Sequence, residues 1–144
     1  MSKKYEAPYA GKCLCGTIRY QVDKIEPHMA HCHCSMCRKF HGAAFATFGE
    51  ARKENFRWTS GEEHLTKYVA ENNTVRQFCN ICGSSLTFAP AIENFEYVEF
   101  ALGTLDSDIA LRPDAHIFYG SKANWFVSYD ELSKYVEGRD SDLA

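Results

Sequence analysis

The chain has 144 residues, 45% hydrophobic and 14% aromatic, a size and composition that suit one compact domain with a single core. Its formal net charge of -3 gives no positive field for a phosphate backbone, so we expect no nucleic-acid partner. No segment approaches the roughly 20 apolar residues of a membrane span, so we expect no membrane partner and a cytoplasmic location. The sequence thus predicts one domain over residues 1–144, with a flexible leader at 1–9 and a flexible tail at 139–144.

Short runs rich in aromatic and β-branched residues predict a series of strands. The first is Gly16–Val22, in which Ile18, Tyr20 and Val22 alternate with polar residues, as in a half-buried strand. Gly, Asn, Asp and Pro separate the later runs, which lie at Ala43–Phe48, Phe56–Thr59, Leu65–Val69, Thr74–Phe78, Ser85–Ala89 and Tyr97–Leu102. The pattern predicts a mainly β fold of about seven or eight strands.

Helical signals are few and lie mostly near the C-terminus. Ser128 or Asp130 can cap a short helix that runs through Tyr135 and ends at Gly138. A second, single helical turn is expected after Cys34. The prediction is therefore a β protein with a short C-terminal helix.

Seven cysteines is an odd number, so disulfides alone cannot account for all of them, and a reducing compartment favours metal ligation. Four lie in two tight turns, each followed by a glycine that can adopt a positive φ. These turns are Cys13-Leu14-Cys15-Gly16 and Cys79-Asn80-Ile81-Cys82-Gly83. Cys13, Cys15, Cys79 and Cys82 thus predict a closed, structural zinc site, the alternative being cysteines buried in the core.

The remaining cysteines form a Cys-x-Cys-x-x-Cys run of Cys32, Cys34 and Cys37. Three thiolates from so short a run leave one metal position open, which is typical of a catalytic zinc. Such a zinc is a weak Lewis acid toward water but is suited to bind and deprotonate a thiol. The alternatives are a disulfide within the run or closure by a histidine, for which the candidates are His31, His33, His41 and His116.

Arg38 and His116 are the candidates for catalytic residues beyond the metal ligands. Arg38 and Lys39 follow the third cysteine, where they can neutralise an anionic metal centre, bind a substrate carboxylate, or simply be solvated charges. They lie in a helical turn that is expected to start at Cys34 and to end at Gly42. His116 can orient a substrate or transfer a proton, but we favour a strand position in which it satisfies a buried hydrogen bond.

These motifs together resemble the family of glutathione-dependent formaldehyde-activating enzymes (GFA), which includes a domain of centromere protein V. The resemblance spans nearly the whole chain. The matching elements are Gly11 to Gly16, Cys32-His33-Cys34 through Cys37-Arg38-Lys39, Gly42, Phe78 to Ser84, Gly103-Thr104-Leu105-Asp106, Pro113 to His116, and Trp125.

The resemblance implies a β-tent fold, in which two stacked layers of antiparallel sheet are joined by the first zinc. It also implies two zinc ions per chain, divided between the four-cysteine and three-cysteine sets. The activity that it implies is formation of S-(hydroxymethyl)glutathione from glutathione and formaldehyde, a carbon–sulfur lyase reaction in the reverse sense.

Residues and resemblance together predict a zinc-dependent carbon–sulfur lyase-type enzyme that handles a thiol–aldehyde adduct. Its expected partner is a small-molecule thiol such as glutathione, and the oligomeric state stays open. One alternative is a non-catalytic, zinc-stabilised module that binds another protein. Another is a redox or zinc-buffering role for the exposed thiolates.

Overall fold

The computed structural model describes residues 5–144, which contain eleven strands and one α-helix. The helix, α1, spans Ser35–His41. The strands are β1 Tyr9–Lys12, β2 Arg19–Val22, β3 Ala30–Cys32, β4 Ala46–Arg52, β5 Phe56–Ser60, β6 Leu65–Val69, β7 Val75–Cys79, β8 Ser85–Ala89, β9 Tyr97–Ala101, β10 Ala115–Ile117 and β11 Ser133–Lys134. Short 3-10 turns lie at Lys53–Asn55, Glu62–His64, Leu102–Thr104 and Tyr119–Ser121. The mainly β fold is confirmed, and the expected leader lies partly outside the described residues.

The chain forms two compact units, each made of two segments. The first unit combines Met1–Pro27 with Gly49–Leu111, and the second combines His28–Phe48 with Arg112–Ala144. That the whole chain acts as one domain stays a prediction.

The first unit contains two antiparallel arrangements of strands. One is a three-stranded sheet in the order β1-β2-β5, and the other places β9, β8, β7 and β6 side by side. The alternation that predicted β2 is confirmed, because Ile18, Tyr20 and Val22 are all buried. The first pair of cysteines directly follows β1, and the second pair lies at the turn between β7 and β8.

Tyr20 is the largest fully buried side chain in residues 5–144 and lies at the centre of the core of the first unit. Its ring stacks on Phe56 at 5.1 Å and contacts Phe100 at 5.8 Å between centroids. Its hydroxyl lies 2.7 Å from Thr104 Oγ1, which satisfies the polar end of the ring. Gly11 is paired with Tyr20 across β1 and β2, and a Cβ there would come within 2.3 Å of the Tyr20 ring.

The second unit is built around two parallel strand pairs. β10 pairs in parallel with β3 on one side and with β11 on the other, whereas β3 pairs antiparallel with the start of β4. The expectation of antiparallel sheets alone is therefore wrong at β10. Parallel partners must be joined by long connections, which short-range turn signals do not reveal.

The predicted C-terminal helix does not form. The segment from Ser128 to Gly138 contains β11 instead, because its backbone groups pair with distant residues rather than with each other. The Tyr135 N–H donates to the His116 carbonyl at 2.9 Å, and the Tyr119 N–H donates to the Tyr135 carbonyl at 2.9 Å. Tertiary pairing thus overrides the local capping signal.

The helical turn predicted after Cys34 is confirmed and extends to two turns in α1, which ends at Gly42 with φ 59° as expected. Among the described residues, no helix is long and apolar enough to cross a membrane. In the expected tail, Arg139 donates a hydrogen bond to the Met29 carbonyl at 3.1 Å. That the tail is flexible stays a prediction.

Candidate metal centres

The two cysteine turns of the first unit bring four thiols together. One ligand atom each from Cys13, Cys15, Cys79 and Cys82 lies within 4.8 Å of every other. Cys15 Sγ is 3.6 Å from Cys13 Sγ and 3.9 Å from Cys79 Sγ. The two pairs are distant in sequence, so the cluster joins the start of the unit to the β7–β8 hairpin.

Backbone geometry in both turns directs N–H groups toward sulfur. Gly16 and Gly83 have φ of 79° and 81°, the left-handed region that the sequence predicted for them. The Ile18 N–H donates to Cys13 Sγ at 3.3 Å, and the Ile81 N–H donates to Cys79 Sγ at 3.4 Å. Hydrogen bonds of this kind favour the ionised thiolate, which is the form that binds a metal.

The thiols of this cluster differ in their tendency to ionise. Burial raises the pKa of Cys79 to about 11. Burial also opposes ionisation of Cys82, but hydrogen bonds from Ser84 outweigh it and lower the pKa of Cys82 to about 5. The hydrogen bond with the Thr17 hydroxyl lowers the pKa of Cys15. Four converging thiols, one of which has a pKa of about 5, fit a soft, divalent cation in tetrahedral coordination, as zinc prefers.

The second unit brings together the three remaining thiols. Cys32 ends β3, Cys34 caps α1, and Cys37 lies in the first turn of that helix. Their sulfur atoms also lie within 4.8 Å of one another. The Cys34 side chain caps the N-terminus of α1, because the Cys37 N–H donates to Cys34 Sγ at 3.2 Å. This hydrogen bond fixes the position of the Cys34 sulfur relative to the helix. The donor set fits a thiophilic metal with three protein ligands.

Cys32 and Cys37 are buried, and Cys34 is partly buried. Hydrogen bonding with Cys34, then with Cys37, and burial together raise the pKa of the Cys32 thiol far above its ordinary range. The cluster packs against Ala46 and Phe48 of β4, against Ile117 of β10 and against Phe118, which follows that strand. Three thiolates this close together would repel one another, so all three could ionise only with a cation among them.

Among the described residues, no histidine nitrogen joins this cluster, so the alternative of a site closed by a histidine is not formed there. His31 Nδ1 lies 2.7 Å from Thr47 Oγ1, and His33 Nε2 lies 2.7 Å from His116 Nδ1. The ring of His41 packs edge-on against Phe48 at 5.5 Å. Each of the four candidate histidines thus contacts groups other than the thiols.

Arg38 and His116 occupy different surroundings. Arg38 lies in α1 directly after Cys37, and its Nε is buried without a hydrogen-bond partner among the described residues. His116 is only 1% exposed in β10, and its Nε2 lies 2.9 Å from Asp130 Oδ2. Burial, then the neighbouring His116, lowers the pKa of His33 to about 4. The hydrogen bond with His116 lowers the pKa of Asp130 to about 2.

Sequence reasoning did not find the pairing of His33, His116 and Asp130. Asp130 was expected only as a helix cap. The one available clue was the alternation of His31 and His33, which places both side chains on the same face of an extended strand.

Both cysteine clusters lie in a region that matches a known family. A sequence profile described as glutathione-dependent formaldehyde-activating enzyme matches residues 8–121, which include all seven cysteines. The chain belongs to this family. The GFA resemblance that the motifs suggested is therefore confirmed.

Individual relatives support the same assignment. An uncharacterized lyase from Schizosaccharomyces pombe is 30% identical over 139 residues, covering 89% of this chain and 96% of the relative. A protein from Halomonas elongata, named as a candidate glutathione-dependent formaldehyde-activating enzyme, is 30% identical over 140 residues, covering 92% of this chain and 83% of the relative. The crystal structure of a Rhodobacter sphaeroides protein superposes with a TM-score of 0.59 at 26% identity, covering 70% of this chain and 91% of that one.

Proposed function

We propose that this GFA protein is a zinc-dependent enzyme of the carbon–sulfur lyase type that forms and cleaves a thiol–aldehyde adduct. The family description and the names of its relatives, a lyase and a formaldehyde-activating enzyme, support an enzyme of this class. The reaction that fits these descriptions joins glutathione and formaldehyde into S-(hydroxymethyl)glutathione. The observation that carries the proposal is a cluster of three thiols in addition to a complete set of four.

The reaction balances without any further reactant. The thiol sulfur forms a bond to the carbonyl carbon, and the π electron pair of the carbonyl moves to its oxygen. The S–H bond breaks and its proton ends on that oxygen as a hydroxyl. The reverse reaction breaks the carbon–sulfur bond, releases the aldehyde and returns the proton to sulfur.

The two cysteine sets divide the roles. Cys13, Cys15, Cys79 and Cys82 hold a structural zinc ion that closes the first unit. Cys32, Cys34 and Cys37 hold a second zinc, which makes two per chain. Held by Cys32, Cys34 and Cys37, such a zinc ion would favour the deprotonated, nucleophilic form of a substrate thiol.

Groups of the chain itself compensate the charge around the three thiols. The Cys37 N–H donates to Cys34 Sγ and stabilises that sulfur as a thiolate. Arg38, next in the chain, supplies a cation that neutralises the cluster or binds a carboxylate of the thiol substrate. His116 is buried and hydrogen-bonded through both nitrogens, so we assign it a structural role and not direct contact with substrate.

Exchange NMR on glutathione and labelled formaldehyde at equilibrium tests the proposal. The native zinc-loaded protein should accelerate exchange between free aldehyde and adduct, and Cys34→Ser should abolish the acceleration and bind one zinc fewer. Ser35→Ala, a change at the exposed first residue of α1, is the matched control and should behave like the native protein.

Absence of acceleration by the native protein with two zinc ions bound would refute the named reaction. It would favour a different thiol substrate or the protein-binding module considered from the sequence. The proposed partner is a small-molecule thiol, and the proposed location is the cytoplasm.

A further inference from the structure

Three polar side chains form a continuous row inside the second unit. His33 Nε2 lies 2.7 Å from His116 Nδ1, and His116 Nε2 lies 2.9 Å from Asp130 Oδ2. The two imidazoles are 0% and 1% exposed. Aromatic rings enclose His33 at centroid distances of 5.0 Å for Phe45, 5.0 Å for Tyr119 and 5.1 Å for Phe126. Hydrogen bonds between its members compensate for burying these polar groups, and only His33 Nδ1 stays without a partner among the described residues.

The acceptor at the end of the row sets the direction of every hydrogen bond. An ionised carboxylate only accepts, and Asp130 Oδ1 already accepts the Leu132 N–H at 3.1 Å. Asp130 Oδ2 therefore accepts from His116 Nε2–H. With one proton on each imidazole, His116 Nδ1 is then an acceptor and receives the hydrogen bond from His33 Nε2–H. Both histidines then carry their proton on Nε2.

His33 is attached to β10 at two points. Its backbone N–H donates to the Ile117 carbonyl at 2.9 Å, and its imidazole donates to His116. The rings of His31 and His33 both contact the ring of His116, at 5.0 and 4.9 Å, so the two side chains share one face. Cys32, between them, packs instead with Cys37. Because side chains alternate along an extended chain, fixing His33 also fixes the orientation of its neighbours Cys32 and Cys34.

We propose that Asp130, His116 and His33 are positioning residues whose hydrogen-bonded row fixes the segment carrying Cys32 and Cys34, so that three thiols stay arranged for one metal ion. The inference rests on the proposed function, because it takes these thiols as metal ligands. The row acts from the face of β3 opposite the thiols and does not touch the substrate.

Asp130→Ala tests the row by removing its terminal acceptor, which leaves His116 Nε2–H buried without a partner. The affinity of the three-cysteine site for zinc should fall roughly 10-fold, as is common when a group that orients metal ligands is lost. The affinity of the four-cysteine site, which serves as the internal control, should not change. Competition of zinc-loaded protein with a chromophoric chelator gives both affinities, and cadmium NMR distinguishes the two sites.

Asp130→Asn separates positioning from a general loss of packing. The asparagine oxygen keeps the Leu132 N–H, so its NH₂ group faces His116 Nε2 and donates to it. The row can then form with reversed direction, with both histidines protonated on Nδ1. Because His33 Nδ1–H would have no acceptor among the described residues, the zinc affinity should recover only in part. Proton–nitrogen correlation NMR of the imidazoles should show Nε2–H in the native protein and Nδ1–H in the variant.

Asp142→Ala and Asp142→Asn are the matched controls, since Asp142 is an exposed aspartate of the same unit. Unchanged zinc affinity in Asp130→Ala, or an equal loss at both metal sites, would overturn the positioning role. Nδ1–H tautomers in the native protein would overturn the direction of the row. If Asp130→Ala does not fold, the tautomers and zinc affinity of Asp130→Asn decide. If the native protein binds only one zinc, both the proposed function and this positioning role are wrong. The imidazole tautomers would still show whether the hydrogen-bonded row exists.

Discussion

Replacing Glu99 by Gln should stabilise the protein above neutral pH and change the pH dependence of its unfolding. Glu99 lies in β9, and burial, together with the Glu50 carboxylate, raises its pKa from 4.5 to about 7. The folded state therefore binds the Glu99 proton more tightly than the unfolded chain does. The resulting stability is fully present below pH 4.5 and is lost as the pH rises through about 7.

The size of the effect follows from the two pKa values. Their separation corresponds to about 3 kcal/mol at about 1.4 kcal/mol per pH unit. Glutamine has a similar shape and no charge, so the variant should gain up to about 3 kcal/mol at about pH 8. The gain should roughly halve near pH 5.5, where the carboxyl of the folded protein is protonated and only the uptake of that proton opposes folding.

Urea unfolding of the zinc-loaded protein, followed by circular dichroism at both pH values, measures this difference. Glu96→Gln is the matched control, because the Glu96 side chain is 74% exposed and pairs with Arg52 at 3.8 Å. Its effect should be small at both pH values. If Glu99→Gln gains the same stability at both pH values, the gain does not arise from the ionised carboxyl and the explanation by its raised pKa is wrong.

Two further predictions concern the first unit and the metals. Gly11→Ala should destabilise the protein by about 1–3 kcal/mol in urea unfolding, because the new Cβ would overlap the Tyr20 ring. Gly103→Ala, where a Cβ meets nothing within 4 Å, should cost far less, and equal costs would contradict the steric explanation. Stepwise chelation should remove one zinc per chain with little loss of circular dichroism, and only removal of the second should unfold the first unit. Unfolding with the first equivalent removed would contradict the division into open and closed sites.

The strands of the first unit were predictable because their signals are local. β6 and β8 match the predicted runs Leu65–Val69 and Ser85–Ala89 to the residue. The face of β2 was also predictable, since alternation over a few residues decides which side chains are buried. Hairpin partners lie close in sequence, so the turn-forming residues between two runs are enough to define the pair.

The second unit was not predictable in the same way because distant residues decide its structure. β11 replaces the predicted helix, since the groups that pair with it lie in β10 and beyond. The spacing of the cysteines revealed both thiol clusters, because chelation depends on short-range geometry. Spacing cannot reveal that His33 meets His116 or that His116 meets Asp130, because neither pair shares a local element.

The parallel pairing of β3 with β10 also orders the assembly of the protein during synthesis. Ala30 pairs with Ala115, which lies far along the chain. The second unit therefore cannot form until nearly all of the chain has left the ribosome. The four-cysteine cluster is complete as soon as Cys82 has emerged. Because chains fold from the N-terminus as they are made, a metal ion at the four-cysteine cluster could be taken up first. The thiols of Cys32, Cys34 and Cys37 meanwhile lie in an unfolded part of the nascent chain, where oxidants and other metal ions can reach them. Correct maturation of the second unit therefore requires a reducing environment.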